Sequence, residues 1–361
     1  MNPPMYFLEL AVENVRCFGP RKVLDLRDRD GRPAKWTVIL GDNGVGKTTL
    51  LQCLYATKPT PYLWPDGKEV TVPAFDQLPR GHRQELRRFS DQGESSKITA
   101  EIVMGDVLVD ASDVRRSFSM KCDGGNVVIE GSMAADMFCC GYGAARRPGR
   151  AALSADSRQS AGATLFSDSA ELINVEEWLL QADYSASSEV PGARERFTHI
   201  RETILRLLKE SISDVRVAGL DKVPPQPIVQ FETPYGWVRP HQLSLGYKAM
   251  LSWVLDLASR MFERYPQSAD PLSEPAVVLV DEIDLHLHPR WQRDIVAFLG
   301  ERFRRTQFIV TAHSPLIVQA AADANLVVLR RAPGGEGHVV IENDPETVKG
   351  WRVDQLLTSD L

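Results

Sequence analysis

The chain has 361 residues, 43% hydrophobic and 25% charged, with a formal net charge of -6 at pH 7. This is the composition of a globular protein with room for one large domain or two modest ones; it excludes collagen-like, coiled-coil-dominated and wholly disordered chains. The acidic balance also excludes nucleic-acid binding by overall charge, so any such contact needs a local patch or a partner. Residues 6–15 alternate loosely as a strand, and KWTVIL (35–40) is a short apolar strand ending at a glycine-rich turn. KTTLLQCLYA (47–56) has helical apolar spacing. Residues 69–131 read as antiparallel β: KITAEIVM, RRSFSMKC and NVVIEG, the last two joined by Asp123-Gly124-Gly125, a hairpin signal.

An apolar strand over 137–140 runs into GYGAARR (141–147), and the Ser-, Ala-, Gly- and Arg-rich stretch 148–169 reads as an exposed loop. Helices are predicted over 170–184 and 194–211, then a β section through FETPYGWVRPHQ, then a helix over 243–265 opened by LSLGYK. The last third alternates: AVVLV (276–280), a helix over 290–303, QFIVTA (307–312), a helix over 315–322, LVVLR (326–330) and HVVIE (338–342). Near-continuous apolar strands alternating with helices predict an α/β fold with a parallel sheet covered on both faces. No repeat, no heptad run and no stretch of about 18 apolar residues occurs. The start, MNPPMYFLELAVENVR, lacks the basic and apolar regions of a signal peptide, and five scattered cysteines make no disulfide framework. A cytoplasmic protein without membrane contact is expected.

Gly41-Asp42-Asn43-Gly44-Val45-Gly46-Lys47-Thr48 fits GxxxxGK[ST], and it stands after an apolar strand and before a helix that continues with Thr49. The glycines let backbone N–H groups close around a β-phosphate, and the helix adds its positive end. Lys47 is placed to bridge β- and γ-phosphates and Thr48 to ligate Mg²⁺. The competing reading is a chance glycine-rich turn.

Asp281 and Glu282 end a five-residue apolar run. A buried strand brings Asp281 to its carboxyl end, where it can hold the metal, and Glu282 can polarise an attacking water. The alternative is a pair of acids that merely cap the next helix. His313 ends the next apolar strand, 32 residues after Asp281, where it can bond a γ-phosphate and the attacking water. Ser244 and Gly246 open a long apolar-periodic helix, which makes a second anion site or an ordinary serine cap. Two helix starts for one nucleotide point to a head-to-tail dimer, with Ser244 of one subunit facing the γ-phosphate held by Lys47 of the other.

GDNGVGKT, LSLGYK, AVVLVDEID and TAHS, in this order, resemble the ABC-type ATPase superfamily. VDEIDLHLHP resembles its RecF, SMC and OLD-type branch rather than transporter subunits; ENVRCFGP, GYGAARR and WRVDQLLTSDL look like the stand-alone AAA-type ATPases of bacterial antiphage systems, Septu among them. The resemblance covers most of residues 6–361. It implies an ABC-ATPase head with a mostly parallel core sheet, an antiparallel β subdomain and an inserted helical subdomain. The expected lobes are 1–145, 146–242 and 243–361.

The resemblance implies ATP and Mg²⁺, with Gly41 to Thr48, Asp281, Glu282 and His313 in one half-site and Ser244 with Gly246 in the other. Asp284 would cross the dimer interface, and Arg16 would stand at the nucleotide's edge. A homodimer or higher even oligomer is expected, acting as sensor or regulator beside a nuclease on another protein, HNH-type among the candidates. A RecF-like repair ATPase binding DNA directly is the alternative; a transporter subunit is a third, which neither LHLHP nor GYGAARR supports.

One departure stands out: the family's glutamine after the strand preceding the helical section is missing from CCGYGAARR, which leaves Tyr142 and Arg146 to couple there, with Gln159 the nearest glutamine. His286 and His288 lack a third ligand at metal spacing and fit a dimer seam better than a metal pair. Arg146, Arg147 and Arg150 read as a solvated loop or as a contact with nucleic acid or phosphate. Arg80, Arg83, Arg87 and Arg88, mixed with Glu85, read as a charged helix face. No nuclease carboxylate cluster follows His313. The chain stops at Asp360-Leu361 on an apolar-flanked segment where relatives often continue, so a truncated chain or one lacking a short C-terminal element is expected.

Overall fold

A computed structural model describes residues 4–63, 69–74, 96–105, 114–123, 126–131, 136–149, 159–188, 191–207, 212–219, 227–332, 337–343 and 345. The chain divides into two compact units, Met1–Ala144 with Pro275–Asp284 and Arg305–Leu361, and Ala145–Glu274 with Leu285–Arg304.

The first unit is built on three sheets. The antiparallel five-stranded one takes β1 (Met5–Glu13), β2 (Lys22–Asp25), β6 (Ser96–Met104), β7 (Val114–Asp123) and β8 (Asn126–Gly131) in the order β2-β1-β6-β7-β8. β4 (Pro59–Leu63) and β5 (Glu69–Pro73) make a separate ribbon. The core sheet contains β3 (Trp36–Gly41), β9 (Cys139–Tyr142), β13 (Ala276–Val280), β14 (Thr306–Thr311), β15 (Asn325–Arg331) and β16 (Val339–Asn343), ordered β16-β15-β3-β14-β13-β9. Its pairs are parallel except the edge pair β15–β16. Every residue of β3, β13 and β14 is buried, as strands covered on both faces require. Because β14 lies between β3 and β13, the carboxyl ends of all three come together, the usual ligand position in an open parallel sheet. Helix α1 (Lys47–Thr57) leaves β3 through the glycine-rich loop and buries every residue but Thr48.

The pairing of β1 with β6 slips between Phe7 and Glu9, leaving Leu8 as the extra residue of a bulge. Gln307, fully buried on β14, meets the stretch: its Oε1 accepts from the Phe7 N–H at 2.9 Å and its Nε2 donates to the Phe7 carbonyl at 2.8 Å. Gln307 thus satisfies a buried main-chain donor and acceptor together, and a buried group of this kind left unmet costs roughly 1–3 kcal/mol.

The second unit holds α2 (Ala163–Phe166), α3 (Val175–Ser187), α4 (Ala193–Leu207), α5 (Leu245–Arg264) and α6 (Pro289–Arg302), with an antiparallel sheet of β10 (Asp214–Gly219), β11 (Pro227–Thr233) and β12 (Gly236–Val238). Here α4 buries Ala193, Ile200, Thr203 and Ile204 along one face. Asp256 of α5 is 1% exposed, pairs with Arg260 at 2.7 Å and accepts the Ile173 N–H, tying α5 to the segment before α3.

Arg302 of α6 clasps Asp270 with both guanidinium nitrogens, at 3.0 and 3.1 Å, and its Nε donates to Thr203. Burial raises the Asp270 carboxyl, but the bonds from Arg302 and Ser273 and the charges of Arg302 and His199 outweigh it, and the net direction is down. A depressed carboxyl stabilises the fold fully above its unfolded value, near 3.9, and loses that contribution as pH falls through the lower folded value. Asp270→Asn is therefore expected to lower the Tm by about 1–3 °C at pH 7, with the gap to wild type closing below about pH 4 in thermal melts.

Several expectations need correction. The stretch 148–169 is not simply an exposed loop: α2 lies within it and buries Thr164 and Leu165. Arg146 is 3% exposed, so it is no solvated loop side chain, while Arg147 is exposed. The helix expected from residue 170 starts at Val175, because Asn174 caps it and the preceding stretch bonds 147–149 through Leu172 N–H to Arg147 O and Gly149 N–H to Ile173 O. The strand expected at 137–140 is Cys139–Tyr142. Arg80, Arg83, Glu85, Arg87, Arg88, Arg150, Gly124, Gly125 and residues 351–361 lie outside the described residues.

Candidate functional site

The glycine-rich loop turns from β3 into α1 through Gly41, Gly44 and Gly46, all at positive φ. At Gly46 the need for glycine is double. Its φ of +92° disfavours any side chain, and a Cβ there would run into Cys17 Sγ and lie 2.9 Å from the Phe18 ring. Val45 is buried and accepts a weak bond from Cys17 Sγ through its carbonyl, while Asp42, Asn43 and Gly44 are exposed along the loop. Gly46 as N-cap supplies no side-chain bond to the first N–H groups of α1, whose positive helix end lies at the loop.

Lys47 is 7% exposed, and its Nζ donates to the carbonyls of Gly41 at 2.6 Å and Asp42 at 2.8 Å. Burial pulls the ammonium below its usual value, against the opposing charges of Asp281, Glu282, Asp42 and Asp284. Thr48 directs its hydroxyl at Asp281 Oδ2, 2.6 Å away. Thr49 is buried, and its hydroxyl accepts from Arg16 Nη1 at 3.3 Å; the same guanidinium donates to Gln52 Oε1 at 3.0 Å. Arg16 itself sits in the tight Val15–Phe18 turn at φ +42°.

Asp281 is 4% exposed. Its second oxygen accepts from Thr311 Oγ1 at 2.6 Å, and its N–H donates to the Tyr142 carbonyl at 2.8 Å. Tyr142 thus supports the site through its main chain, with its own side chain buried. Glu282 stands at φ +49°, a left-handed conformation unusual for a residue with a side chain and typical of functional sites. Its N–H donates to Thr311 Oγ1 at 2.7 Å. Asp284 accepts from the His313 N–H at 3.2 and 3.3 Å, and the His313 side chain is exposed.

Lys47, Thr48, Asp281, Glu282, Asp284 and His313 are thus brought together at the carboxyl ends of three neighbouring strands, with Arg16 alongside on the first turns of α1. The adjacent Thr48 hydroxyl and Asp281 carboxylate are hard oxygen donors of the kind Mg²⁺ takes, and the glycine loop with the α1 terminus suits a polyphosphate. Thr311 was absent from the sequence-based set; the only sign of it was its place in TAHS, two residues before His313.

Ser244 and Gly246 lie in the second unit at the start of α5. Ser244 is the N-cap and is exposed, yet its hydroxyl makes no capping bond. A Cβ on Gly246 would run into the His286 carbonyl, so this glycine allows close packing of α5 on the chain before α6. Tyr247 and Trp291 meet edge to face just beyond, with ring centroids 4.1 Å apart. His288 caps α6, with its Nδ1 accepting from the Arg290 N–H at 3.3 Å. Among the described residues no three His, Cys, Asp or Glu side chains group as a metal site. Arg147, Glu171, His241 and Lys248 line a cavity of about 620 Å³ in this unit. Its mixed signs are unlike the basic stripe that a nucleic-acid backbone calls for. Gln159 offers its carbonyl to Arg260.

Residues 145–319 match a family described as "AAA domain, putative AbiEii toxin, Type IV TA system", and residues 9–57 match one described as "AAA domain". The Septu protein PtuA of Bacillus mycoides (strain KBAB4) is 26% identical over 328 residues, which is 90% of this chain and 40% of that protein. The retron Ec83 probable ATPase of Escherichia coli is 42% identical over 99 residues, 26% of this chain and 18% of that protein. The chain spans less than half the length of these curated relatives. The Smc head domain with a coiled coil and joint from Pyrococcus yayanosii superposes with a TM-score of 0.54 at 11% identity, covering 98% of each chain, a likeness of fold. Among the described residues no helix is long and apolar enough to cross a membrane.

Proposed function

We propose that this chain, similar to a Septu PtuA and to a retron probable ATPase, is an ABC-type ATPase that binds and hydrolyses ATP as a dimer closed around the nucleotide, in the cytoplasm, as the sensor or regulator of an antiphage complex. The nuclease of that complex is a separate protein, HNH-type among the candidates; the similarity to PtuA supports this reading.

Lys47 and the loop N–H groups hold the β- and γ-phosphates. Thr48 and Asp281 hold Mg²⁺, which when bound neutralises charge on the phosphates. Glu282 accepts a proton from the attacking water as the water oxygen closes on the γ-phosphorus and the ADP oxygen departs. His313, exposed beside Asp284, bonds the γ-phosphate.

The observation that carries the dimer is Ser244. It starts a 20-residue helix, it is exposed, its hydroxyl does not serve its own helix, and Leu245 beside it is 61% exposed. Such a start suits an anion and an apolar surface supplied by another copy. Lys47→Ala and Ser244→Arg should each be inactive alone. A mixed pair has one intact pocket, so mixing the two proteins should restore up to about a quarter of wild-type turnover. Mixtures as inactive as their components would overturn the shared pocket.

A further inference from the structure

We propose that Thr311 is a positioning residue for hydrolysis, its one hydroxyl setting Asp281 and Glu282 together; this rests on the ATPase reading above. A threonine hydroxyl has one proton to donate and lone pairs to accept with. Here the proton goes to Asp281 Oδ1 at 2.6 Å, and the oxygen accepts the Glu282 N–H at 2.7 Å. The Thr311 carbonyl also accepts the Ile283 N–H at 2.9 Å. Residues 281, 282 and 283 are thus all docked on one residue of the neighbouring strand.

The position gives this arrangement its weight. Thr311 is fully buried at the end of β14, between the strand that leads into the phosphate loop and the strand that carries the carboxylates. With Thr48 on its other oxygen, Asp281 is held from both sides. Glu282 sits in a left-handed conformation that needs outside support, and the bond to its N–H supplies it. His313 is two residues further along the same strand end, so the hydroxyl also fixes the spacing between the base and the histidine.

The test compares Thr311→Val, which keeps the shape and loses the hydroxyl, with Thr311→Ser, which keeps the hydroxyl and loses the methyl. Steady-state turnover is measured against ATP and Mg²⁺, with labelled-nucleotide binding and thermal melts alongside. Thr311→Val should lose about ten- to a hundredfold in kcat, change the KM for ATP less than about threefold, and need several-fold more Mg²⁺ for half-saturation. Thr311→Ser should stay within about threefold of wild-type kcat. Wild-type kcat in Thr311→Val, or equal loss in both variants, would overturn the positioning role; should the valine variant not fold, Thr311→Ala against Thr311→Ser makes the same comparison. Wild-type protein that binds but does not turn over ATP would instead sink the ATPase reading, and the positioning role with it.

Discussion

Glu282→Gln is expected to lower ATP turnover by about 10²- to 10⁴-fold while leaving nucleotide binding within a few-fold of wild type. The amide keeps the volume and the main-chain bond to Thr311 Oγ1, so the left-handed backbone and the loop beyond it remain in place. What it loses is the basicity needed to take a proton from water. A fall in kcat with little change in KM, measured by phosphate release, would separate this from a damaged pocket. Unchanged turnover would remove Glu282 from the chemistry.

Lys47→Ala is expected to act on binding instead. The ammonium is buried, held by two loop carbonyls and surrounded by the carboxylates of Asp42, Asp281, Glu282 and Asp284. Its loss removes the loop's cation and leaves those negative charges facing an anionic ligand. Charge-assisted hydrogen bonds contribute about 1.5–3 kcal/mol each, so affinity for ATP should drop by about 10- to 100-fold or more in fluorescence titrations. Affinity equal to wild type would mean that the phosphates bind elsewhere.

The features legible in the sequence were those written over short stretches. The glycine-rich loop, the apolar strand with Asp281 and Glu282, and the strand leading to His313 are each contiguous, and the structure gathers them at the carboxyl ends of neighbouring inner strands of the core sheet. Features made by contacts between distant residues were not legible. Thr311 is one polar residue in an apolar run, and its role exists only because β14 pairs with β13. Gly246 reads as part of an anion-binding helix start, whereas the approach of the His286 carbonyl also demands a glycine there. Arg146 reads as a loop cation and is buried. The start of α3 was misplaced because its preceding residues pair with 147–149, a bond no local pattern announces.

The Leu8 bulge carries a mechanical consequence. One carboxamide, that of Gln307, bonds both main-chain groups of Phe7 beside the bulge, so the outer antiparallel layer is fastened to the strand that leads to the histidine. Sliding either by one step would strand two amide groups in a dry interior. The antiparallel layer, whose first strand runs on towards the Arg16 turn, is thereby pinned to the strand that carries Thr311.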